Sequence, residues 1–522
     1  MASTQSELMS LVSEGTLDEL RAALEKRQVT SVGLVKAYLA RIQETKATVN
    51  AVTETNPDAL EIARACDEER SKGSLCGPLH GIPILLKNNI ATADKMNNTA
   101  GSWLLYGATV SRDATVAKKL RDAGAIFLGK SNMTQWANYR SRKGELHMDG
   151  WSAHGGQTYA AYHDKQNPSG SSSGSGVAVD MGLAFAALGT ETDGSIVMPA
   201  QKSNIVGIKP TVGLTSRDLV IPIAEHHDTV GPMARTVRDA AALLQVIAGK
   251  DPNDKYTVAI PDIPDYVAAC DAGALKGARI GVPWKAIGEI KEDGFEFEVS
   301  TFREALKTLE AAGAVIVDAD YEAELDDVND AEEKMFYADF LVNVRHYFDQ
   351  LSSNPSGLKD VQDMMHKTRA HADESYPARN TTTWEQALEQ GWDNTDTEHF
   401  PALLQEYEDL CEKKGLPGTL DTYNLDAMVM PTTESSVWSA VAGAPAVSVP
   451  MGFHPADAEV CWNQEKTLVE TGPGVPFGLS FMGRKWSEAR LVGFAYAFEQ
   501  LTLVRGKGRR LVSVSNTEVD LV

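Results

Sequence analysis

Serine and glycine dominate one segment of the chain, residues 167–182, whose sequence is NPSGSSSGSGVAVDMG. Such a run is typical of a flexible linker, of a nucleophile elbow or of the floor of an active site. The linker interpretation fails because VAVDMGLAFAALG follows at once and predicts a buried apolar helix, whereas a linker joins two solvated ends. Two interpretations therefore remain, and both place the segment in an active site.

The elbow interpretation rests on residues 170–174, GSSSG, which match G-x-S-x-G. In that motif the central serine stands on a strained turn between a strand and a helix. A hydrophobic strand must come directly before it, but the preceding AYHDKQNPSG is polar and contains Pro168. We therefore favour an active-site floor.

A floor needs a partner segment, and LGTETDGSIVMPA at residues 188–200 is the candidate. Its small and polar residues lead to Gly194 and Ser195, and their backbone N–H groups could converge on one point. Convergent N–H groups stabilise an oxyanion, and a serine beside them becomes a nucleophile when a neighbour takes its proton. The base need not be histidine.

Lys87 in GIPILLKNN, the serines of GSSSGSG and Ser195 in GTETDGSIVMPA together resemble the amidase signature family, whose catalytic triad is Ser, cis-Ser and Lys. The resemblance extends to TAGSWLLYGA, GKSNMTQWAN, VGIKPTVGLTSR, DTVGPMARTVRDAA and GPGVPFGLSFMGR, and only the middle insertion lacks a counterpart. It implies that Ser195 is the nucleophile and Lys87 the base. The cis-serine lies 24 positions before the nucleophile, which is Ser171, with a cis peptide bond to Gly170.

The implied chemistry is amide hydrolysis through an acyl-enzyme. Neutral Lys87 takes a proton from Ser171, which takes one from Ser195 as Ser195 attacks the carbonyl carbon. Lys87 must therefore lose its proton near neutral pH, which requires burial and no close carboxylate. Asn88 stands where relatives often have aspartate, and it removes one negative charge beside the base.

The resemblance also assigns the groups around the triad. It implies an oxyanion hole made by the backbone N–H groups of Thr192, Asp193, Gly194 and Ser195. Supporting contacts are expected from Gly170, Ser172, Thr190 and Glu191. Asp193 and Val197 stand where many bacterial relatives have glycine and arginine, which favours the peptide-amidase-like and fungal branches over the amidotransferases that act on glutamyl-tRNA.

Four further residues invite a function. His226, His227 and Asp228 could complete a Ser-His-Asp triad, but the resemblance makes this segment a structural loop that borders the pocket at most. His154 stands where relatives often have arginine, so specificity is shifted if this position lies near the pocket. The core is expected to contain three aromatic residues, Trp136, Trp151 and Trp438.

The elements that position these residues are those of an α/β protein. Thr16 and Glu19 form a capping box ahead of one helix, and a second helix begins at Ser31. GIPILLKNNI predicts a strand, while DATVAKKLRDAGAIFLGKSN and TFREALKTLEAAGAVIVDAD each predict a helix, a glycine stop and a strand. We expect the amidase-signature fold, a large mixed, mostly parallel sheet flanked by helices on both faces.

We predict one domain over residues 1–522, without a linker that would divide it. Its parts are a helical N-terminal layer (1–70), the catalytic signature core (71–250), a mostly helical, pocket-forming insertion (320–425) and the C-terminal part of the sheet (426–522).

Composition limits the partners. The net charge is −23, which disfavours nucleic acid and anionic membrane surfaces. No apolar window reaches the roughly 18 residues of a membrane span, and the N-terminus does not resemble a signal peptide. Five scattered cysteines without a CxxC pair argue against a disulfide framework and a zinc site, which favours a cytoplasmic location.

The leading hypothesis is hydrolysis of small or medium amides, including C-terminal carboxamides, without a metal or an organic cofactor. Ester or carbamate cleavage, acyl transfer, and a non-catalytic relative that only binds remain alternatives. The sequence leaves the oligomeric state open.

Overall fold

The computed structural model describes residues 2–141, 149–291, 294–433 and 435–514. The strands are β1 (Val52–Thr55), β2 (Pro83–Lys87), β3 (Thr109–Val110), β4 (Ile126–Ser131), β5 (Trp151–Ser152), β6 (Gly156–Gln157), β7 (Ala186–Glu191), β8 (Val206–Lys209), β9 (Thr229–Ala234), β10 (Arg279–Val282), β11 (Val315–Asp318), β12 (Leu351–Ser353), β13 (Ala427–Pro431), β14 (Ala446–Phe453), β15 (Cys461–Trp462), β16 (Val469–Thr471) and β17 (Pro476–Met482). The α-helices are α1 (Ala2–Glu14), α2 (Leu17–Glu25), α3 (Ser31–Thr45), α4 (Ala59–Ser71), α5 (Thr115–Asp122), α6 (Ser173–Asp180), α7 (Val197–Lys202), α8 (Val237–Ile247), α9 (Trp284–Glu289), α10 (Phe295–Ala311), α11 (Leu325–Asp349), α12 (Val361–Ala370), α13 (Thr382–Gln390), α14 (His399–Tyr407), α15 (Leu416–Thr422), α16 (Ser436–Val441) and α17 (Glu488–Thr502).

Within these ranges, eleven strands form one mixed sheet in the order β1-β4-β2-β7-β9-β8-β14-β17-β13-β10-β11. The expected parallel pairing occurs in two blocks, β4-β2-β7 and β13-β10-β11. The strands between the blocks, and β1 at the edge, pair antiparallel. Every residue of β2, β4 and β7 is buried, and successive strand residues face opposite sides, so both faces of the sheet are covered.

The local signals in the sequence explain most of these elements. Thr16 and Glu19 form the predicted capping box of α2. The helices α5 and α10 end before Gly124 and Gly313, whose φ angles of +86° and +96° favour glycine, and a strand follows each.

The prediction of one helix through VAVDMGLAFAALG is wrong in its second half. The helix α6 ends at Asp180, the chain turns at Gly182 with φ +62°, and strand β7 begins at Ala186. Asp180 and Gly182 interrupt the apolar run at this point, and Gly182 is a glycine stop like those that follow α5 and α10, so the helix prediction passed over a local signal. The apolar residues on either side do not by themselves separate a buried helix from a buried strand.

Residues 320–425 are mainly helical and contain α11 to α15. Apolar side chains of α11, α12 and α13 form a second hydrophobic core with residues 100–139 and 221–224. This segment therefore packs on the loops that follow the strands of the main sheet. The four-part division of the chain and the role of the insertion stay predictions.

One buried carboxylate fastens this insertion to the core. Glu374 Oε1 accepts hydrogen bonds from Ser102 Oγ (2.6 Å) and the Trp103 N–H (2.8 Å). Its Oε2 accepts hydrogen bonds from Gln135 Nε2 (2.5 Å) and Arg140 Nη1 (3.0 Å). Both side chains of the Arg140–Glu374 ion pair are fully buried, so neither charge is tolerable without the other.

None of the helices in the described ranges is both long and apolar enough to cross a lipid bilayer.

Candidate active site

The sheet brings the predicted residues to one place because β2 and β7 are parallel neighbours. Lys87 is the last residue of β2, and Thr190 and Glu191 end β7. Ser195 follows in the turn before α7, and the Ser172 N–H donates to the Ser195 carbonyl at 3.2 Å. The Ser/Gly run and the GTETDGS segment are therefore joined at the carboxyl ends of adjacent strands.

The Lys87 amine lies among hydroxyl groups. Its Nζ is 2.8 Å from Ser171 Oγ, 2.9 Å from Ser172 Oγ and 2.9 Å from the Thr190 carbonyl oxygen. Ser172 Oγ itself donates to that carbonyl at 3.1 Å and accepts the Thr190 N–H at 3.3 Å, which leaves a second lone pair to accept from the lysine. A neutral amine that donates to Ser172 and Thr190 has its lone pair left for the Ser171 hydroxyl.

Burial holds the pKa of Lys87 well below its ordinary value. The side chain is fully buried, which penalises the charged form, and the nearby carboxylates of Glu191 and Asp228 oppose the shift only in part. Desolvation therefore outweighs the attraction of these two carboxylates. The Asn88 amide turns away and donates to Thr99 Oγ1 at 2.9 Å.

Burial alone does not single out Lys87. Lys130 and Lys209 are also fully buried, and burial lowers the pKa of each to about 8. The Lys130 amine bonds a backbone carbonyl and the Asn98 side chain, and the Lys209 amine bonds two backbone carbonyls. In the described structure only Lys87, of these three, has an amine within hydrogen-bond distance of serine hydroxyls.

The Gly170–Ser171 peptide bond is cis, as the resemblance implies. The Ser171 carbonyl accepts the Thr134 N–H at 3.1 Å, which holds the serine against the loop after β4. A side chain at Gly170 would not fit, because its Cβ would lie 2.3 Å from Thr134 Oγ1 and 2.8 Å from Asp149 Oδ1. A glycine is therefore required at position 170, directly before the serine that contacts Lys87.

The predicted oxyanion segment is held from both sides. Glu191 Oε2 accepts the N–H groups of Ile196 (2.6 Å) and Val197 (2.9 Å), which closes a tight loop between β7 and α7. Within this loop Gly194 has φ +75°. This conformation favours glycine.

Asp228 anchors the same loop from outside. Its Oδ1 accepts the Thr192 hydroxyl at 2.6 Å, and its Oδ2 accepts the N–H groups of Ile223 (2.8 Å) and Ala224 (3.1 Å). Burial raises the pKa of this carboxyl to about 6. Sequence reasoning treated Asp228 only as a member of a candidate histidine triad and missed this role; no local motif marks it.

Ser195 lies at the rim of this arrangement and is 6% exposed. Among the residues that the structure describes, its hydroxyl forms no hydrogen bond, including none to Ser171. Lys87 and Ser171 are thus in contact, while the second proton-transfer contact is open. Catalytic hydrogen bonds are often long without substrate and shorten when substrate binds.

The two histidines do not form a triad with Ser195. His226 Nδ1 faces Asp339 Oδ2 at 2.8 Å, and His227 Nε2 lies 2.5 Å from Tyr407 Oη. Burial holds the pKa of His227 well below its usual value. Both rings bond to the 320–425 segment, so they join it to the loop before β9.

His154 lies in a cluster that two hydrogen bonds join to Asn88, the residue after Lys87. Its Nδ1 is 3.1 Å from Thr99 Oγ1, the hydroxyl that accepts from Asn88. Its ring packs on Trp103 and Tyr106, with centroid distances of 4.8 and 5.3 Å. The position where relatives often have arginine is therefore coupled to the residue that follows Lys87.

Two of the three tryptophans predicted to lie in the core are buried there, and the third is not. Trp136 and Trp438 are buried in the core, as predicted, and Trp438 stacks on Tyr321 at 3.9 Å. Trp151 is only half-buried, and the Arg379 guanidinium lies 4.6 Å from its ring centroid.

The mixed sheet covered by helices and the buried lysine in contact with serine hydroxyls indicate the class, an α/β enzyme. Comparison with known proteins identifies the family. The model of the amidase family matches residues 33–492. A putative amidase of Arthroderma benhamiae is 50% identical, and the match covers 96% of this chain and 87% of the relative. The chain belongs to the amidase family and is an amide-hydrolysing enzyme.

Solved structures agree. The native peptide amidase of Stenotrophomonas maltophilia is 36% identical, with a TM-score of 0.82 over 97% of this chain and 99% of that chain. A peptide amidase in complex with the competitive inhibitor chymostatin gives 37%, a TM-score of 0.84 and coverage of 94% and 98%. A glutamyl-tRNA(Gln) amidotransferase chain from Thermotoga maritima shares the fold at 24% identity and a TM-score of 0.63, covering 90% and 91%.

Proposed function

We propose that this amidase cleaves the C–N bond of small or medium carboxamides, including the C-terminal carboxamide of peptides, through an acyl-enzyme on Ser195. The contact of the buried Lys87 amine with Ser171 Oγ at 2.8 Å carries the proposal, because it pairs a neutral base with a hydroxyl. The similarity to peptide amidases supports the substrate class.

The proposed reaction uses the Lys87–Ser171 contact for its first proton transfer. Lys87 takes the proton of Ser171, and Ser171 takes that of Ser195 as Ser195 Oγ bonds to the carbonyl carbon. The oxyanion is stabilised by the N–H groups of residues 192–195. The proton then returns through Ser171 to the departing nitrogen, the C–N bond breaks, and ammonia or an amine leaves. Water hydrolyses the ester by the same relay.

Supporting residues keep the relay aligned. Ser172 and the Thr190 carbonyl fix the lysine amine from two sides, and Asn89 Nδ2 donates to Thr190 Oγ1 at 3.0 Å. Gly170 allows the close approach of the serine segment to Thr134. These groups do not exchange protons with the substrate; they limit the number of positions that the base can adopt.

The test is ammonia release from a panel of aliphatic, aromatic and peptide C-terminal amides. Ser195→Ala should abolish turnover, and Ser203→Ala is the matched control because its buried hydroxyl has no hydrogen-bond partner in the described structure. Turnover that survives both Ser195→Ala and Lys87→Ala would contradict the mechanism.

Ester and carbamate cleavage and acyl transfer use the same acyl-enzyme, and esters and carbamates added to the panel test the first two. Cleavage of these compounds without ammonia release from any amide would favour ester or carbamate hydrolysis. Hydroxylamine in the assay intercepts the acyl-enzyme as a hydroxamate after ammonia has left, and hydroxamate in large excess over free acid would favour acyl transfer.

A further inference from the structure

Four side chains with metal-binding atoms lie together outside the Lys87 site, in the helical layer of the sheet. Cys66 and Glu69 occupy one face of α4, and Cys76 and His80 come from the loop between α4 and β2. A sulfur of Cys66, a carboxylate oxygen of Glu69 and a ring nitrogen of His80 all lie within 4.8 Å of one another. Cys76 Sγ is 3.6 Å from Glu69 Oε2. We call these four residues the Cys66–His80 cluster.

The hydrogen bonds of His80 fix which nitrogen faces the cluster. Nε2 lies 2.9 Å from the Cys66 carbonyl oxygen, and a carbonyl only accepts, so Nε2 carries the hydrogen. The lone pair of neutral His80 is therefore on Nδ1, which lies 3.9 Å from Glu69 Oε2. Histidine ligands of metals are commonly oriented in this way, with the second nitrogen donating to a backbone carbonyl.

The remaining contacts of Nδ1 are weak for a buried acceptor. The Cys76 N–H donates to it at a long 3.3 Å, while the Glu69 carboxylate faces it with negative charge. A lone pair and a carboxylate repel each other unless positive charge lies between them. The His80 side chain is 2% exposed and that of Glu69 45%, so an ion can enter from the carboxylate side.

We propose that Cys66, Glu69, Cys76 and His80 bind one Zn²⁺ in a tetrahedral site. Zinc takes thiolate sulfur at about 2.3 Å and imidazole nitrogen or carboxylate oxygen at about 2.0–2.2 Å, which sets ligand atoms about 3.3–3.8 Å apart. Cys66, Glu69 and His80 need a contraction of roughly 1 Å, and Cys76, which lies outside the 4.8 Å group, needs a larger movement of the exposed loop that carries it. Four protein ligands leave no open position, so the site is structural.

Binding releases two protons. Each thiol loses its proton to solvent as its sulfur bonds to zinc, and the Cys76 N–H gives up its contact with Nδ1. Affinity for zinc therefore increases with pH.

The consequence for the fold is local. His80 precedes β2, the strand that ends in Lys87, and Arg70 of α4 already donates to the His80 carbonyl at 2.6 Å. Zinc would add a second connection between α4 and the entry of β2 without a contact to the reacting groups.

The test uses the full-length protein with its thiols reduced and Zn²⁺ alone as the probe, in competition with a chromophoric chelator. One equivalent should bind, and Co²⁺ in its place should give sulfur-to-cobalt charge-transfer and tetrahedral d–d bands. Cys76→Ser alters an exposed side chain and should weaken binding more than about 100-fold, beyond the effect of losing an outer contact. Cys461→Ser is the matched control and should leave the affinity unchanged.

Three results would overturn the proposal: no stoichiometric binding, binding that Cys76→Ser leaves intact, or a Cys66–Cys76 disulfide in the protein under the reducing conditions of the titration. Amide turnover should be equal with and without chelator. The experiment measures metal affinity, so a failure of the zinc proposal is distinguishable from a failure of the proposed amide hydrolysis.

Discussion

Glu191 offers a decisive test of how the oxyanion loop is held. Its Oε2 accepts two backbone N–H groups, from Ile196 at 2.6 Å and Val197 at 2.9 Å. A hydrogen bond to a charged group contributes about 1.5–3 kcal/mol, so Glu191→Ala removes about 3–6 kcal/mol of restraint. One oxyanion donor supplies about 2.7–4 kcal/mol to the transition state, so the loss is large enough to displace one.

We therefore expect Glu191→Ala to lower kcat about 100- to 1000-fold on the best amide of the panel. Glu191→Gln is the matched variant: its amide oxygen can still accept both N–H groups, and kcat should stay within about tenfold of the wild type. Initial rates of ammonia release measure both, and near-ultraviolet circular dichroism checks that each variant is folded.

Two outcomes would refute this reasoning. A folded Glu191→Ala enzyme with kcat within tenfold of the wild type would show that the loop keeps its conformation without the carboxylate. An equal loss in both variants would show that charge, rather than the two hydrogen bonds, is what Glu191 supplies.

Three further predictions concern the proton relay and the turn. The kcat/KM should rise with pH through the lowered pKa of Lys87, because only the neutral amine accepts a proton; a profile that falls across that range would contradict the assignment. Ser171→Ala should lower kcat about 100- to 10,000-fold, and Ser172→Ala less, since Ser172 only positions the amine; steady-state rates that rank them in reverse would exchange their roles. Gly194→Ala adds about 1–2 kcal/mol of left-handed strain and puts a Cβ 3.0 Å from Ser436 Oγ, so kcat should fall about tenfold. Adding Ser436→Gly should restore part of kcat, and no recovery in the double variant would exclude the steric contact as a cause.

The sequence predicts the sheet and its helices where the signals are local. The capping box at Thr16, the glycine stops at Gly124 and Gly313 and the apolar strand before Lys87 each act within a few residues, and the structure contains them. The boundary between α6 and β7 was missed although Gly182 marks it, because the residues on both sides are apolar and carry no period that separates helix from strand. Periodicity fails where both faces of an element are buried.

The candidate site likewise contains residues that the sequence predicts and contacts that it does not. Lys87, Ser171 and Ser195 were found through a resemblance over the whole chain, and the structure brings their segments together. The anchoring of Thr192 by Asp228 joins residues 36 positions apart, and no local pattern marks it. The Cys66–His80 cluster was missed for a related reason: its ligands are split between a helix face and a loop, without a CxxC pair.

Some predictions remain as such. The roles assigned to Ser195 and the oxyanion segment await the rate measurements above, and the cytoplasmic location and the absence of nucleic-acid partners await localisation and binding experiments.

The carboxylate of Glu374 has a consequence for folding and for divergence. It is 234 residues from Arg140 and 272 from Ser102, so the segment between must be closed into a loop before these groups can meet. Until then a guanidinium and a carboxylate stay hydrated, and hydration opposes their burial. Residues 320–425 should consequently dock late, as one cooperative step. Exchanging only this segment between relatives should also be destabilising, because a grafted insertion without Glu374 would leave the buried Arg140 charge without its ion-pair partner.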